Sequence, residues 1–341
     1  MTRDELFMLR AFELARIGLG EVSPNPCVGC VIVSNGKIIG EGWHRKYGGP
    51  HAEVNALNSV EDKNFLKEAT VYVNLEPCSH FGQTPPCADL LIRHRVKKVV
   101  VANRDTNPLV GGKGILKLRE AGVEVILGVL EKEGRELNKR FFTFMEKRRP
   151  YIILKWAQTA DGFMARTNHD SKWISNEYAR QIVHQWRSQE DAILVGRKTA
   201  ELDNPRLTTR DWAGRSPIRI VSDRFLSLPE SLHLFDGTHR TYRYNVLTSS
   251  DEKNLLFVRL DEADFFNQLV LDLFKLKVQS VIVEGGRQML NLFIQSGLWD
   301  EARIFSSALS WGSGVDAPGI RGDLMYTEDI FGDRLKIFYR R

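Results

Sequence analysis

His51-Ala52-Glu53 is followed by Pro77-Cys78 and then by Cys87, and these residue types at this spacing can hold a metal ion with a general acid/base beside it. One imidazole and two thiolates make a three-ligand set whose fourth position stays open to water, the layout of a catalytic rather than a structural zinc. Zinc at such a site lowers the pKa of water enough to supply a nucleophile near neutral pH. Glu53, two residues after the histidine, can sit near the metal without ligating it and carry a proton to a ring nitrogen and a leaving amine. This is the histidine-x-glutamate plus proline-cysteine logic of zinc deaminases acting on bases. A closed four-cysteine site made by Cys27, Cys30, Cys78 and Cys87 is the competing arrangement, although Cys30 lies in an apolar run where a thiol packs as a small hydrophobe.

The second half offers a different set: Lys155 to Gly162 (KWAQTADG), Ser171 to Ser175 (SKWIS), Leu194 to Thr199, Asp203 to Thr208, and Val283-Glu284-Gly285-Gly286. Two glycines between a strand and a helix let backbone N–H groups approach a phosphate. The G-x-G-x-x-G dinucleotide fingerprint is absent, so a nicotinamide nucleotide must be held by other means.

Positioning these groups requires elements of both periodicities. Residues 5–18 carry apolar positions at helical spacing. Val28–Val33 and Ile38–Trp43 read as strands joined by an Asn-Gly turn, the strongest short hairpin signal. Further strands are predicted at Val71–Leu75, Val96–Ala102 and Glu124–Leu127, and a charged helix over 131–149. A new apolar strand begins at Tyr151, which predicts an α/β chain in two domains, 1–148 and 149–341. In the second, helices are predicted around Asn176–Gln189, Asp264–Leu276 and Arg287–Ser296. Strands are predicted at Ala192–Val195, Ile218–Ser222, Ser280–Val283 and near Leu335–Tyr339. The polar stretch 224–262 gives no reading.

A length of 341 residues suits two domains, and 43% hydrophobic with 27% charged residues excludes a disordered or collagen-like chain. Four cysteines without an export signal point to a reducing, cytoplasmic setting and not to a disulfide scaffold. No membrane span is expected. The net charge of +5 falls in residues 1–150, with 23 basic against 18 acidic residues. The basic residues are scattered, which argues for a small anionic substrate over a nucleic acid.

Glu76 to Cys87 (EPCSHFGQTPPC), preceded by His51-Ala52-Glu53 and followed by Asp105-Thr106-Asn107-Pro108, closely resembles the RibD family of bifunctional riboflavin-biosynthesis deaminase/reductases. The motifs of the second half follow in that family's order. The resemblance implies a cytidine-deaminase-like zinc domain, then a domain similar to dihydrofolate reductase that uses NADPH. It implies one Zn²⁺ per chain on His51, Cys78 and Cys87, with Glu53 catalytic, and Asn25, His44, Gln83, Asp105 and Asn107 on a phosphorylated pyrimidine. Gln83, standing where the family usually has Lys or Arg, can donate hydrogen bonds to a phosphate but brings no charge. Ala157, Trp173, Thr199, Asp203, Gly285 and Gly286 are implied for NADPH. Ser171, Arg187, Leu207, Arg210 and Glu284 are implied for the sugar phosphate, the two arginines having the fork geometry for it. The reaction implied is hydrolytic deamination of 2,5-diamino-6-(5-phosphoribosylamino)pyrimidin-4(3H)-one, then reduction of the ribosyl group to ribityl. A homo-oligomer, dimer or tetramer, is implied by the family alone. The alternatives are a reductase with a disabled deaminase half, a nucleic-acid base deaminase, and a non-catalytic zinc or nucleotide-binding scaffold.

Overall fold

A computed structural model describes residues 1–79, 85–107, 111–171 and 173–341. The chain divides into two compact units, Met1–Arg148 and Arg149–Arg341.

The first unit runs α1 (Arg3–Ile17), β1 (Gly29–Ser34), β2 (Lys37–Trp43), α2 (Ala52–Ser59), β3 (Thr70–Leu75), α3 (Cys87–Arg93), β4 (Lys98–Asn103), α4 (Lys113–Glu120), β5 (Glu124–Leu127), α5 (Glu131–Leu137) and α6 (Lys139–Lys147). The sheet order is β2-β1-β3-β4-β5, with β3, β4 and β5 parallel and β1 antiparallel to both its neighbours. Period-2 alternation sends Ile32, Val71, Val73, Val99 and Val101 to one face, under α2, α3 and α4. Val31, Val33, Tyr72 and Val100 go to the other face, under α1. Both faces are therefore dry, as a parallel-type sheet requires. Truncating Leu91 or Leu118, both fully buried, to alanine costs about 2–5 kcal/mol.

Local signals explain the ends of these elements. Thr2 and Glu5 form a reciprocal capping box at α1, Glu5 N–H donating to Thr2 Oγ1 at 3.2 Å and Thr2 N–H to Glu5 Oε2 at 2.6 Å. Asn35 and Gly36 both have positive φ, as a two-residue primed hairpin turn demands. The helix expected over 131–149 is two helices. Asn138 breaks it because its side chain is bonded to the Cys27 backbone, accepting from N–H at 2.8 Å and donating to the carbonyl at 2.9 Å. β2 lies so close to α2 that a Cβ at Gly42 would come within 2.2 Å of Ala56 N.

The second unit contains β6 (Tyr151–Gln158), β7 (Phe163–Ala165), α7 (Glu177–Gln189), β8 (Ala192–Gly196), α8 (Arg197–Asp203), β9 (Ile218–Ser222), β10 (Thr241–Asn245), β11 (Ser250–Glu252), β12 (Leu255–Arg259), α9 (Phe265–Lys275), β13 (Ser280–Val283), α10 (Arg287–Gln295), β14 (Glu301–Ser306), β15 (Val315–Asp316), β16 (Gly322–Ile330) and β17 (Asp333–Arg340). Its main sheet has the order β11-β12-β10-β9-β8-β13-β6-β14-β17-β16, with seven central strands parallel and the edges antiparallel. The unread stretch 224–262 supplies β10, β11 and β12. β10 escapes a hydrophobic reading because Thr241, Arg243 and Asn245 are buried polar residues. Arg243 donates to Asp223 Oδ2 at 2.7 Å, to Glu230 Oε1 at 2.7 Å and to the Leu228 carbonyl at 2.9 Å.

Candidate active sites

His51 is the N-cap of α2, Cys78 follows β3, and Cys87 opens α3. Helices and strand ends from three parts of the sequence thus deliver the ligand atoms to one point. Cys78 Sγ lies 3.5 Å and Cys87 Sγ 3.3 Å from His51 Nδ1. A tetrahedral zinc with ordinary bond lengths separates its S and N ligand atoms by about 3.6 Å, so the donor set fits the ion in type and in spacing. Cys27 and Cys30 are not part of it: among the described residues the metal-capable grouping is His51, Cys78 and Cys87, while Cys30 is fully buried on β1 in the core. The four-cysteine arrangement is thereby excluded. The contact between the two thiols draws Cys78 down to about 4 and pushes Cys87 up. The Cys78 contact raises His51 to about 9. A dication competes with these protons for the same lone pairs.

Glu53, 3% exposed, sits in the first turn of α2 next to this cluster. Burial pushes its carboxyl above the usual range, the direction that suits a group meant to take up and release a proton. His44 lies beside His51, ring centroids 5.6 Å apart. Its Nδ1 is 3.0 Å from the Pro50 carbonyl, which makes Nδ1 the donor and leaves Nε2 to accept from Asn25 Nδ2 at 3.0 Å. Burial lowers the His44 pKa, keeping that ring neutral. Asp105 follows β4, is nearly buried, and accepts the Asn107 N–H at 2.7 Å. Burial pushes Asp105 up to about 6. Gln83 lies outside the described residues.

Sequence reasoning missed Glu76. Its buried side chain accepts four backbone N–H groups, from Asp105, Gly112, Gly114 and Ile115. The only sequence hint was its place next to Pro77-Cys78.

In the second unit a cavity of about 770 Å³ opens at the ends of β6, β8 and β13. Ala157, Trp173, Thr199, Asp203 and Gly286 line it, as do Ser171, Arg187, Leu207, Arg210 and Glu284. Gly285 is not among its lining residues: a Cβ there would be 2.7 Å from Gly196 N, so glycine is needed for β8 and β13 to end side by side. Gly286 caps α10 and donates its N–H to Thr199 Oγ1 at 2.6 Å. Ser171 Oγ donates to Asp203 Oδ1 at 3.1 Å.

Arg187 and Glu284 form a two-point pair, Nε to Oε1 at 2.9 Å and Nη2 to Oε2 at 2.8 Å. Arg187 therefore already has one fork edge on a carboxylate, while Arg210 is half-exposed at the rim. Burial opposes charge on Glu284, but Arg187 and then Lys155, 3.9 Å away, outweigh it and hold the carboxyl at about 2. His184, one turn before Arg187, was also missed: burial, Arg187 and Arg210 lower it to about 4.

Comparison with known proteins agrees across both units. The family described as "Cytidine and deoxycytidylate deaminase zinc-binding region" matches residues 1–103, and "RibD C-terminal domain" matches 150–327. The riboflavin biosynthesis protein RibD of Aquifex aeolicus is 39% identical, over 99% of this chain and 98% of its own. That of Synechocystis is 44% identical, over 96% and 90%. A crystal structure from Thermotoga maritima, described as a diaminohydroxyphosphoribosylaminopyrimidine deaminase/5-amino-6-(5-phosphoribosylamino)uracil reductase, superposes with a TM-score of 0.92 at 36% identity, covering 99% of each chain.

Proposed function

The chain belongs to the RibD family, bifunctional deaminase/reductases of riboflavin biosynthesis, and from that premise we propose which residues carry each half of the work. Residues 1–148 form the deaminase, converting 2,5-diamino-6-(5-phosphoribosylamino)pyrimidin-4(3H)-one to 5-amino-6-(5-phosphoribosylamino)uracil. Residues 149–341 form the reductase, turning the ribosyl group of that product into ribityl.

The observation carrying the first assignment is the convergence of His51, Cys78 and Cys87 with buried Glu53 beside them. Zinc held by the three ligands supplies a Lewis acid that makes water acidic near neutral pH. Glu53 takes a proton from the attacking water and delivers it to the ring nitrogen, then carries the remaining proton of the added hydroxyl to the departing amine, so that ammonia leaves as the carbonyl forms. Asn25, held by the neutral His44 ring, and the Asp105–Asn107 segment orient the pyrimidine and its ribose phosphate. Gln83 belongs to the same substrate set.

For the reductase, NADPH supplies the hydride, and the protein supplies position and electrostatics. Gly286, Thr199, Ala157, Trp173 and Asp203 hold the cofactor, and Gly285 lets the turn beneath them form. A second cleft lined by Arg197, Lys198 and Arg224 also includes Thr199 and Gly286, and its positive charge suits the phosphates of NADPH. Ser171, Leu207, Arg210 and the Arg187–Glu284 pair hold the sugar phosphate, with the ribose C1, in its open imine form, facing the nicotinamide.

Among the described residues no helix is long and apolar enough to cross a membrane. We place the enzyme in the cytoplasm as a homo-oligomer, dimer or tetramer. Exposed Leu324, Met325 and Tyr326 on the edge strand β16 favour association. The test is to give the zinc-loaded protein the diamino substrate with NADPH, with NADH and with neither. Ammonia release in all three, and oxidation preferring NADPH, is the expected result. Oxidation of NADH at an equal rate would overturn the cofactor assignment, and ammonia release that survives loss of His51 or Cys87 would overturn the metal assignment.

A further inference from the structure

Glu76 joins the two loops that a deamination must bring together. It stands at the end of β3, and its own N–H donates to the Asn103 carbonyl at the end of β4, at 2.9 Å. Oε2 accepts from Asp105 N at 3.2 Å and Gly112 N at 2.9 Å, while Oε1 accepts from Gly114 N at 2.9 Å and Ile115 N at 3.2 Å. One carboxylate, two residues before Cys78, thus grips the backbone on both sides of the segment carrying Asp105 and Asn107, together with the first turn of α4.

The surroundings are built for this contact. A Cβ at Gly114 would lie 1.9 Å from the Pro77 carbonyl oxygen, so α4 begins in direct contact with the backbone leading to Cys78. Gly112 has φ +86°, and Arg104 covers the space a side chain would take there. Arg104 also donates to the Gly111 carbonyl at 2.8 Å, and Gly111 N–H to the Asn107 carbonyl at 2.9 Å. Four converging N–H donors require an acceptor-only group with two oxygens, and an amide would turn its NH₂ against two of them.

We propose that Glu76 is a positioning residue for deamination: it sets the distance between the Cys78 loop and the Asp105–Asn107 segment, so that a pyrimidine held by the second meets the metal ligands of the first. This rests on the reading of Asp105 and Asn107 as substrate contacts. Glu76 is covered by the backbone it binds and acts through those residues.

The test uses the full-length chain with Glu76→Gln and Glu76→Asp, measuring zinc content, kcat and KM for ammonia release, and NADPH oxidation with already deaminated substrate. For Glu76→Gln the expected result is zinc retained, reduction unchanged and KM for ammonia release raised about 10-fold or more, since small misplacements of substrate groups cost up to about 100-fold. Glu76→Asp keeps both oxygens with a shorter reach and recovers part of the loss. Unchanged kcat/KM in Glu76→Gln, or a fall in kcat with KM unmoved, would overturn the proposal, as would loss of zinc as the primary defect. Should Glu76→Gln not fold, amide exchange in the wild-type protein decides: Asp105, Gly112, Gly114 and Ile115 are expected to be protected together and to lose protection together in Glu76→Asp. Rapid exchange at these four amides would remove the tie. A wild-type protein that releases no ammonia would instead fail the deaminase reading, while exchange still tests the tie.

Discussion

Replacing Arg187 with methionine removes one partner of a buried ion pair while keeping the apolar volume of its stem. Glu284 then stays buried, its side chain 8% exposed, with Lys155 as the remaining cation at 3.9 Å. Holding its carboxyl at about 2 against an ordinary 4.5 corresponds to about 3 kcal/mol at 1.36 kcal/mol per pH unit. Breaking a buried pair from one side costs about 3–5 kcal/mol. Because Lys155 persists, the lower figure applies, and about 3 kcal/mol in a unit of this size lowers Tm by about 6–12 °C. The assay is thermal unfolding followed by tryptophan fluorescence, which reports the second unit because six of the seven tryptophans lie after residue 149. The double variant Arg187→Met/Glu284→Gln should recover part of the loss by removing the stranded charge. The pH dependence has a definite sign. A carboxyl whose folded pKa is depressed adds stability that is present in full above about 4.5 and fades as pH falls toward 2. Arg187→Met should shrink that component. A Tm within about 1 °C of wild type, with Glu284→Gln equally silent, would refute the pair's role in holding the pocket.

Other outcomes follow from the same geometry. Removing zinc with a chelator should abolish ammonia release and leave NADPH oxidation of the deaminated substrate intact; assaying both on one sample checks this. Gly42→Ala should push α2 away, because backbone atoms cannot make room for a Cβ at 2.2 Å. Deamination and the stability of the first unit should fall, the latter by about 1–3 kcal/mol, in denaturant titrations that leave the second unit's transition in place. His184 is held at about 4 against 6.5, so the unfolded chain binds the extra proton and stability rises with pH across that window. His184→Gln should flatten the rise, by at most about 1 kcal/mol per pH unit, in denaturation curves taken from pH 4 to 7.

What the sequence disclosed and what it withheld differ by the range of the interaction. The grouping of His51, Cys78 and Cys87 was legible because few residue types ligate metals, and the place of Glu53 beside it because it stands two residues from His51. The Asn35-Gly36 hairpin was legible because its turn is a two-residue property. Strand β10 was not, since Arg243 can be buried only because Asp223 and Glu230 meet it, partners no local pattern reveals. The break at Asn138 depends on Cys27, 111 residues earlier. The Arg187–Glu284 pair spans 97 residues. Glu76 was hidden for a further reason: its partners are backbone N–H groups, which carry no residue identity at all.

Deamination and reduction are two chemistries, and the role proposed for Glu53 belongs to the first alone. The most direct measurement gives wild-type and Glu53→Gln protein, both zinc-loaded, either the diamino substrate or its deaminated product together with NADPH, and follows ammonia and NADPH simultaneously. Glu53→Gln is expected to slow ammonia release by about 10²–10⁴-fold, to stall NADPH oxidation on the diamino substrate, and to oxidise NADPH at the wild-type rate on the deaminated product. Rapid NADPH oxidation by Glu53→Gln on the diamino substrate, or none by either protein on the deaminated product, would contradict that division.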